Sequence, residues 1–119
     1  MDMYANKKKA NPWIGTAAYE LDVIRKRWHL TSDRQFAQAT AMNARTVAKL
    51  NPRHPDGSLT LETVDRIYSI LIALCRIEYK GEEMEEEYRR LTDSRMRIAM
   101  SVAPLPPSIQ AQLDDAKER

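Results

Sequence analysis

The chain has a single cysteine, Cys75, in 119 residues, so no disulfide closes within it. Cys75 stands among Ile70, Leu71, Ile72, Leu74 and Ile77 and reads as a small buried hydrophobe, not a reactive thiol. No apolar run near the N-terminus has the length or flanks of a signal peptide or a membrane span, which makes a cytoplasmic protein the simplest expectation. Histidine is nearly as scarce: His29 and His54 are far apart and lack cysteine partners, so there is no zinc spacing. Among three glycines there is neither a Gly-rich phosphate loop nor a nucleophile elbow. The acidic run from Glu82 to Glu87 reads as a solvated helix start, because consecutive side chains point in different directions around a helix. The expectation is a protein that is not an enzyme and uses no cofactor and no metal.

What the chain does have is helical periodicity. Charged residues make up 30% and hydrophobic ones 43%, as in ordinary globular proteins, and the length suits one domain. Residues 1–15, with Lys7, Lys8 and Lys9, read as a flexible basic arm. From Ala17, the positions Ala17, Leu21, Ile24 and Trp28 form an amphipathic stripe that ends in Arg25, Lys26 and Arg27, cations that complement the helix dipole. Ser32 and Gln35 have the spacing of a capping box for a helix running to about Thr40. Ala41 and Met42 turn the chain, and Asn43 caps a further helix from Ala44 to about Asn51. Pro52, Pro55 and Asp56-Gly57 make a loop of residues 51–58.

Thr60 then caps a helix from Leu61 to about Tyr79. Leu61, Val64, Ile67, Leu71, Leu74 and Ile77 mark one face, and Ile70, Ile72 and Ala73 widen it, so the helix needs cover on several sides, either as the central core helix or at a subunit interface. Gly81 ends it. Residues 82–103 predict another helix, with pairs Glu85–Arg89 and Glu86–Arg90, a stripe of Met84, Tyr88, Leu91, Ile98 and Val102, and a break at Thr92-Asp93-Ser94. Pro104, Pro106 and Pro107 close it, and residues 108–117 predict a short terminal helix carrying Ile109 and Leu113.

Residues 35–50 have the apolar spacing of two short helices meeting at a sharp turn. Phe36 and Ala37 face inward from the first, Met42 plugs the turn, and Val47 and Leu50 anchor the second, which leaves Arg45, Thr46 and Lys49 facing out. The charge split agrees: residues 1–57 hold ten Lys or Arg against five Asp or Glu, and residues 58–119 hold nine against twelve.

On these residues, Ser32 to Leu74 resembles the Cro/CI-type (XRE-like) helix-turn-helix family. The likeness is carried by Gln35-Phe-Ala, by Asn43-Ala-Arg-Thr-Val-Ala-Lys-Leu50 and by Leu59-Thr-Leu-Glu-Thr-Val64, in the family's order. The family places glycine where this chain has Ala41, and its loop is shorter than residues 51–58. The resemblance implies an all-α, compact five-helix bundle of the lambda-repressor type, here residues 16–80, with residues 81–119 as a helical extension for dimerisation or partner binding. It also implies that the third helix enters the major groove of double-stranded DNA. Arg45 suits the O6 and N7 of guanine, Asn43 suits adenine or its own helix cap, and Thr46 suits a thymine methyl or a phosphate. Asn43, Ala44, Arg45, Thr46 and Lys49 are the expected base-contacting set, and Ser32, Arg34, Gln35 and Arg53 the expected backbone-contacting set. Lys7 to Lys9 either follow the DNA or are simply solvated.

The function so implied is that of a prokaryotic, phage or plasmid transcription regulator, a homodimeric repressor reading a palindromic operator with the helix Ala44 to Asn51. The alternative is an antitoxin or protein-interaction module whose C-terminal half binds a toxin or other regulator, with autoregulatory DNA binding. A purely structural bundle ranks last. The chain beyond the DNA-binding half is too small for the self-cleaving protease domain that some repressors carry. No membrane role is expected.

Overall fold

The computed structural model describes residues 11–118. It is an all-α bundle of six helices: α1 (Pro12–Arg27), α2 (Asp33–Thr40), α3 (Ala44–Ala48), α4 (Leu61–Glu78), α5 (Gly81–Val102) and α6 (Pro107–Lys117), with no strand among the described residues. The lysines at 7–9 lie outside them.

Proline at the first helical position starts α1, where its missing N–H costs nothing and its fixed φ is already helical. The helix therefore begins well before Ala17, and Trp13 and Ile14 are buried with Ala17, Leu21 and Ile24. The expected arm boundary at residue 15 falls inside α1, because Trp13 and Ile14 prefix one more apolar turn to the stripe. At the other end His29 takes φ 58°, and the amides of His29 and Leu30 return to the carbonyls of Lys26 and Arg25 at 3.3 and 2.8 Å, a Schellman ending.

The capping box at the start of α2 forms as its spacing requires: Gln35 N–H donates to Ser32 Oγ at 3.0 Å, and Ser32 N–H to Gln35 Oε1 at 3.3 Å. The helix ends at Ala41, φ 56° and ψ 30°, in left-handed geometry. Met42 N–H donates to Ala37 O at 3.0 Å and Ala41 N–H to Gln38 O at 3.4 Å, a second Schellman ending. The turn is thus built on a left-handed residue that is alanine here, in a conformation that glycine adopts at less steric cost.

The third helix is shorter than expected, Ala44–Ala48 and not Ala44 to Asn51. Pro52 disfavours the helical conformation at Asn51, and the chain tightens beforehand: Lys49 and Leu50 donate to carbonyls only three residues back.

On α4 the buried stripe is Val64, Ile67, Tyr68, Leu71 and Cys75. Leu61 and Ile77, expected on the core face, are 42% and 72% exposed, so the helix is covered on one side only. The fifth helix runs unbroken through Thr92-Asp93-Ser94. Thr92 Oγ1 donates back to Arg89 O at 3.0 Å, and Ser94 is buried and fully engaged. Leu91 and Ile98 belong to the same core as Phe36, Val47 and Leu50, so residue 80 is not a domain boundary. α5 is a wall of the bundle, packed against both α1 and α4. Only α6, which buries no residue, is peripheral.

Two buried carboxylates clamp α5 to α1. Ser94 Oγ donates to Glu20 Oε1 at 2.7 Å, which leaves Tyr68 OH as the donor in its 2.6 Å bond to Ser94. Arg97 donates to both Glu20 oxygens, at 2.8 and 3.0 Å. Burial alone would push the Glu20 carboxyl up, but the Arg97 and Ser94 hydrogen bonds and the charges of Arg97 and Arg27 outweigh it and hold it below its ordinary value. Burial, with the Glu20 charge, pushes the Tyr68 phenol up to about 12. A turn and more away, Glu87 accepts from Arg27 Nε at 2.9 Å, from Arg27 Nη2, and from Trp28 Nε1 at 3.0 Å.

Candidate nucleic-acid interface

The helix pair α2–α3 is held from below. Phe36, Ala37 and Thr40 are buried on α2, and Val47 on α3 with Leu50 just beyond it. Met42 in the turn packs half-buried against this core. Thr40 stays buried without penalty because its hydroxyl donates to Phe36 O at 2.7 Å. Arg25 then fastens the start of α2 to the end of α1. Its guanidinium lies 5.1 Å over the Phe36 ring and donates to Leu30 O at 3.1 Å, Thr31 O at 2.9 Å and Asp33 Oδ1 at 3.0 Å. Sequence reasoning assigned Arg25 only to the helix dipole. The separation of eight from Asp33 across an undefined turn carried no signal of this clamp.

Arg45 is exposed in the first turn of α3, with Thr46 half-buried beside it and Lys49 one turn on. Ala44 is exposed at the first helical position. Arg34 and Gln35 are exposed on the first turn of α2, with Ser32 before them. Arg53 is exposed in the following loop. Among the described residues none of Arg34, Arg45, Lys49 and Arg53 makes an ion pair. The two acids of the same segment are otherwise engaged: Asp33 takes Arg25, and Asp56 accepts from Ser58 N–H at 2.8 Å and Ser58 Oγ at 2.7 Å. Those Ser58 bonds, and the charge of Lys49, hold the Asp56 carboxyl below its ordinary value. The segment from residue 31 to 60 carries four cations against two acids, and both acids are occupied, so its free charge is positive.

The caps sharpen the roles of the polar residues. Asn43 Oδ1 accepts from Arg45 N–H at 2.7 Å, which takes the acceptor that two-point pairing with adenine needs. Asn43 is therefore a cap whose amide N–H groups remain to donate. Ser32 and Gln35 likewise use their acceptors on each other's backbone amides and keep a hydroxyl and an amide donor. All three suit an anion such as a phosphate oxygen better than a base edge.

The loop after α3 is folded back on it. Asp56 N–H donates to Lys49 O at 3.1 Å, His54 N–H to Asn51 O at 3.1 Å, and Asn51 Oδ1 accepts from Arg53 N–H at 2.9 Å. Leu59 closes the loop by burying its side chain at 4% exposure. The loop thus brings Arg53 to the same end of α3 as Lys49, whereas Ser32, Arg34 and Gln35 sit at the opposite end of α2 from the turn, roughly 12 Å along an eight-residue helix.

No protein-family model matches the chain, and no characterised protein and no solved structure matches it either. No helix among the described residues is long and apolar enough to cross a membrane.

Proposed function

We propose that the protein is a sequence-specific DNA-binding transcription regulator, a dimeric repressor that places α3 in the major groove of a palindromic operator. One observation carries this: an eight-residue helix, a three-residue turn with a left-handed first residue, and a second helix that carries Arg45 in its first turn and Lys49 at its C-terminal cap, neither of them in an ion pair among the described residues. In this arrangement Arg45 reads a guanine edge and Thr46 and Ala44 lie against neighbouring bases. Lys49 and Arg53 attach the far side of the helix to phosphates, while Arg34, Ser32 and Gln35 hold the backbone at the start of α2. Asn43 supports the reading turn from within. The shortness of α3 is compatible with this role, since base contacts of such motifs come from the N-terminal residues of the second helix.

Selection of bound duplexes from a random-sequence pool tests the proposal. The expected result is a twofold-symmetric consensus that loses one specified base pair in each half when Arg45→Ala is used. Retention with no enriched sequence would reduce the helix pair to a scaffold and turn attention to protein partners, the antitoxin-like reading among them.

A further inference from the structure

We infer that the notch between the C-terminal end of α4 and the first turns of α5 receives a second copy of this chain, in a twofold pairing that sets Arg76 of each copy against Glu85 of the other. It takes up the dimeric part of the functional reading and does not depend on DNA contact.

The notch is open to solvent, holds about 240 Å³ and is lined by Arg76, Met84, Glu85 and Tyr88. Beside Arg76 stands Ile77, which at 72% is the most exposed large apolar side chain among the described residues, and Tyr88 is 39% exposed. The apolar surface continues along α4 through Leu74, Ala73 and Ile70, spaced with Ile77 at i, i+3, i+4 and i+7, so it forms a strip able to take a second helix. Leu74 and Ile70 are only half-buried, which leaves the α4 surface incompletely covered within one chain.

Charge identifies the occupant. Among the described residues neither Arg76 nor Glu85 makes an ion pair, with each other or with any neighbour. Of the acidic run that opens α5, Glu85 alone lines the notch. A twofold axis repeats every contact with the roles exchanged, so an apolar patch carrying one free cation and one free anion is complementary to itself. A uniformly acidic or basic partner would satisfy one of the two charges and repel the other. The other apolar groove, lined by Leu61, Val64, Ile98 and Val102, offers no such selection, because Asp65 and Arg95 at its rim already pair at 3.1 Å.

Sedimentation velocity on the full chain over a concentration series tests this, using wild type, Arg76→Glu, Glu85→Arg, the double reversal and Ile77→Asp, with far-UV circular dichroism to establish that each folds. The wild type should be a dimer. Each single reversal should weaken it by at least about tenfold, because like charges meet twice across the axis, and the double reversal should restore it to within about threefold. Ile77→Asp should be monomeric. A monomeric wild type overturns the pairing, and so does a dimer indifferent to all four variants or one that the double reversal fails to rescue. Wild type that dimerises through this surface yet prefers no DNA sequence upholds the pairing and removes the DNA reading, so the two fail separately.

Discussion

Glycine at position 41 should raise the melting temperature, although glycine inside a helix normally lowers it. Ala41 holds φ 56° and ψ 30°, where the Cβ of an L-residue crowds the following carbonyl at a cost of about 1 to 2 kcal/mol. Glycine removes that cost but loses about 0.4 to 1 kcal/mol through the greater freedom of the unfolded chain. Ala41 is exposed, so its methyl group gives up little packing. The net gain is about 0.5 to 1 kcal/mol, or roughly 2 to 5 °C for a domain of this size. Thermal unfolding followed at 222 nm measures it, with Gln38→Gly on the exposed side of α2 as the control, expected to lose about 1 kcal/mol. If Ala41→Gly destabilises as much as the control, the left-handed turn is wrong, and the positioning of α3 falls with it.

The clamps on α5 give further expectations. Glu87→Ala strands Arg27 and the Trp28 indole N–H, and urea unfolding should show a loss of about 2 to 4 kcal/mol; a fully buried pair would lose more, but Arg27 keeps 27% of its side chain exposed. A loss below about 1 kcal/mol would mean that the carboxylate is not holding the helices together. The folded-state value of Glu20 lies below its ordinary 4.5, so its ionised form stabilises the fold above that pH, and the contribution disappears as pH falls through the folded value. Glu20→Gln should therefore melt lower than wild type at pH 7, with the gap closing on acidification below 4.5; a gap that widens there contradicts the sign. Removing the residues after Ala103 should shift the melting temperature by less than about 2 °C, since no residue of α6 is fully buried. A fall of about 10 °C would make α6 a structural helix.

Local signals were legible where the chemistry is local. Ser32 with Gln35, Asn43 and Thr60 each cap the helix that their spacing announces. The apolar positions Phe36, Val47 and Leu50 are buried as their periodicity requires. The exposed positions of Arg45 and Arg53, and the half-buried one of Lys49, could be read for the same reason, because they fall between core positions on short segments. What could not be read depends on contacts distant in sequence. Glu20 and Arg97 are 77 residues apart, and Arg27 and Glu87 60, and nothing in either neighbourhood announces the other. Without those pairs α5 reads as an appendage and Thr92-Asp93-Ser94 as a break. With them, Ser94 is the polar residue that lets a carboxylate be buried between helices. The length of α3 departs from its pattern for a different reason: Leu50 continues the apolar period, but the proline at position 52 ends the helical conformation before the period does.

The most direct test is the affinity for a selected duplex across a salt series, measured by fluorescence anisotropy for wild type, Arg45→Ala and Arg53→Ala. If α3 reads the major groove, Arg45→Ala loses about 1 to 3 kcal/mol on that duplex and little on a scrambled one. Arg53→Ala then weakens binding to both alike and lowers the salt slope by about one. Equal losses for the two variants on every sequence, or no preference by wild type at any salt concentration, would contradict the assignment of α3 as a DNA-reading helix.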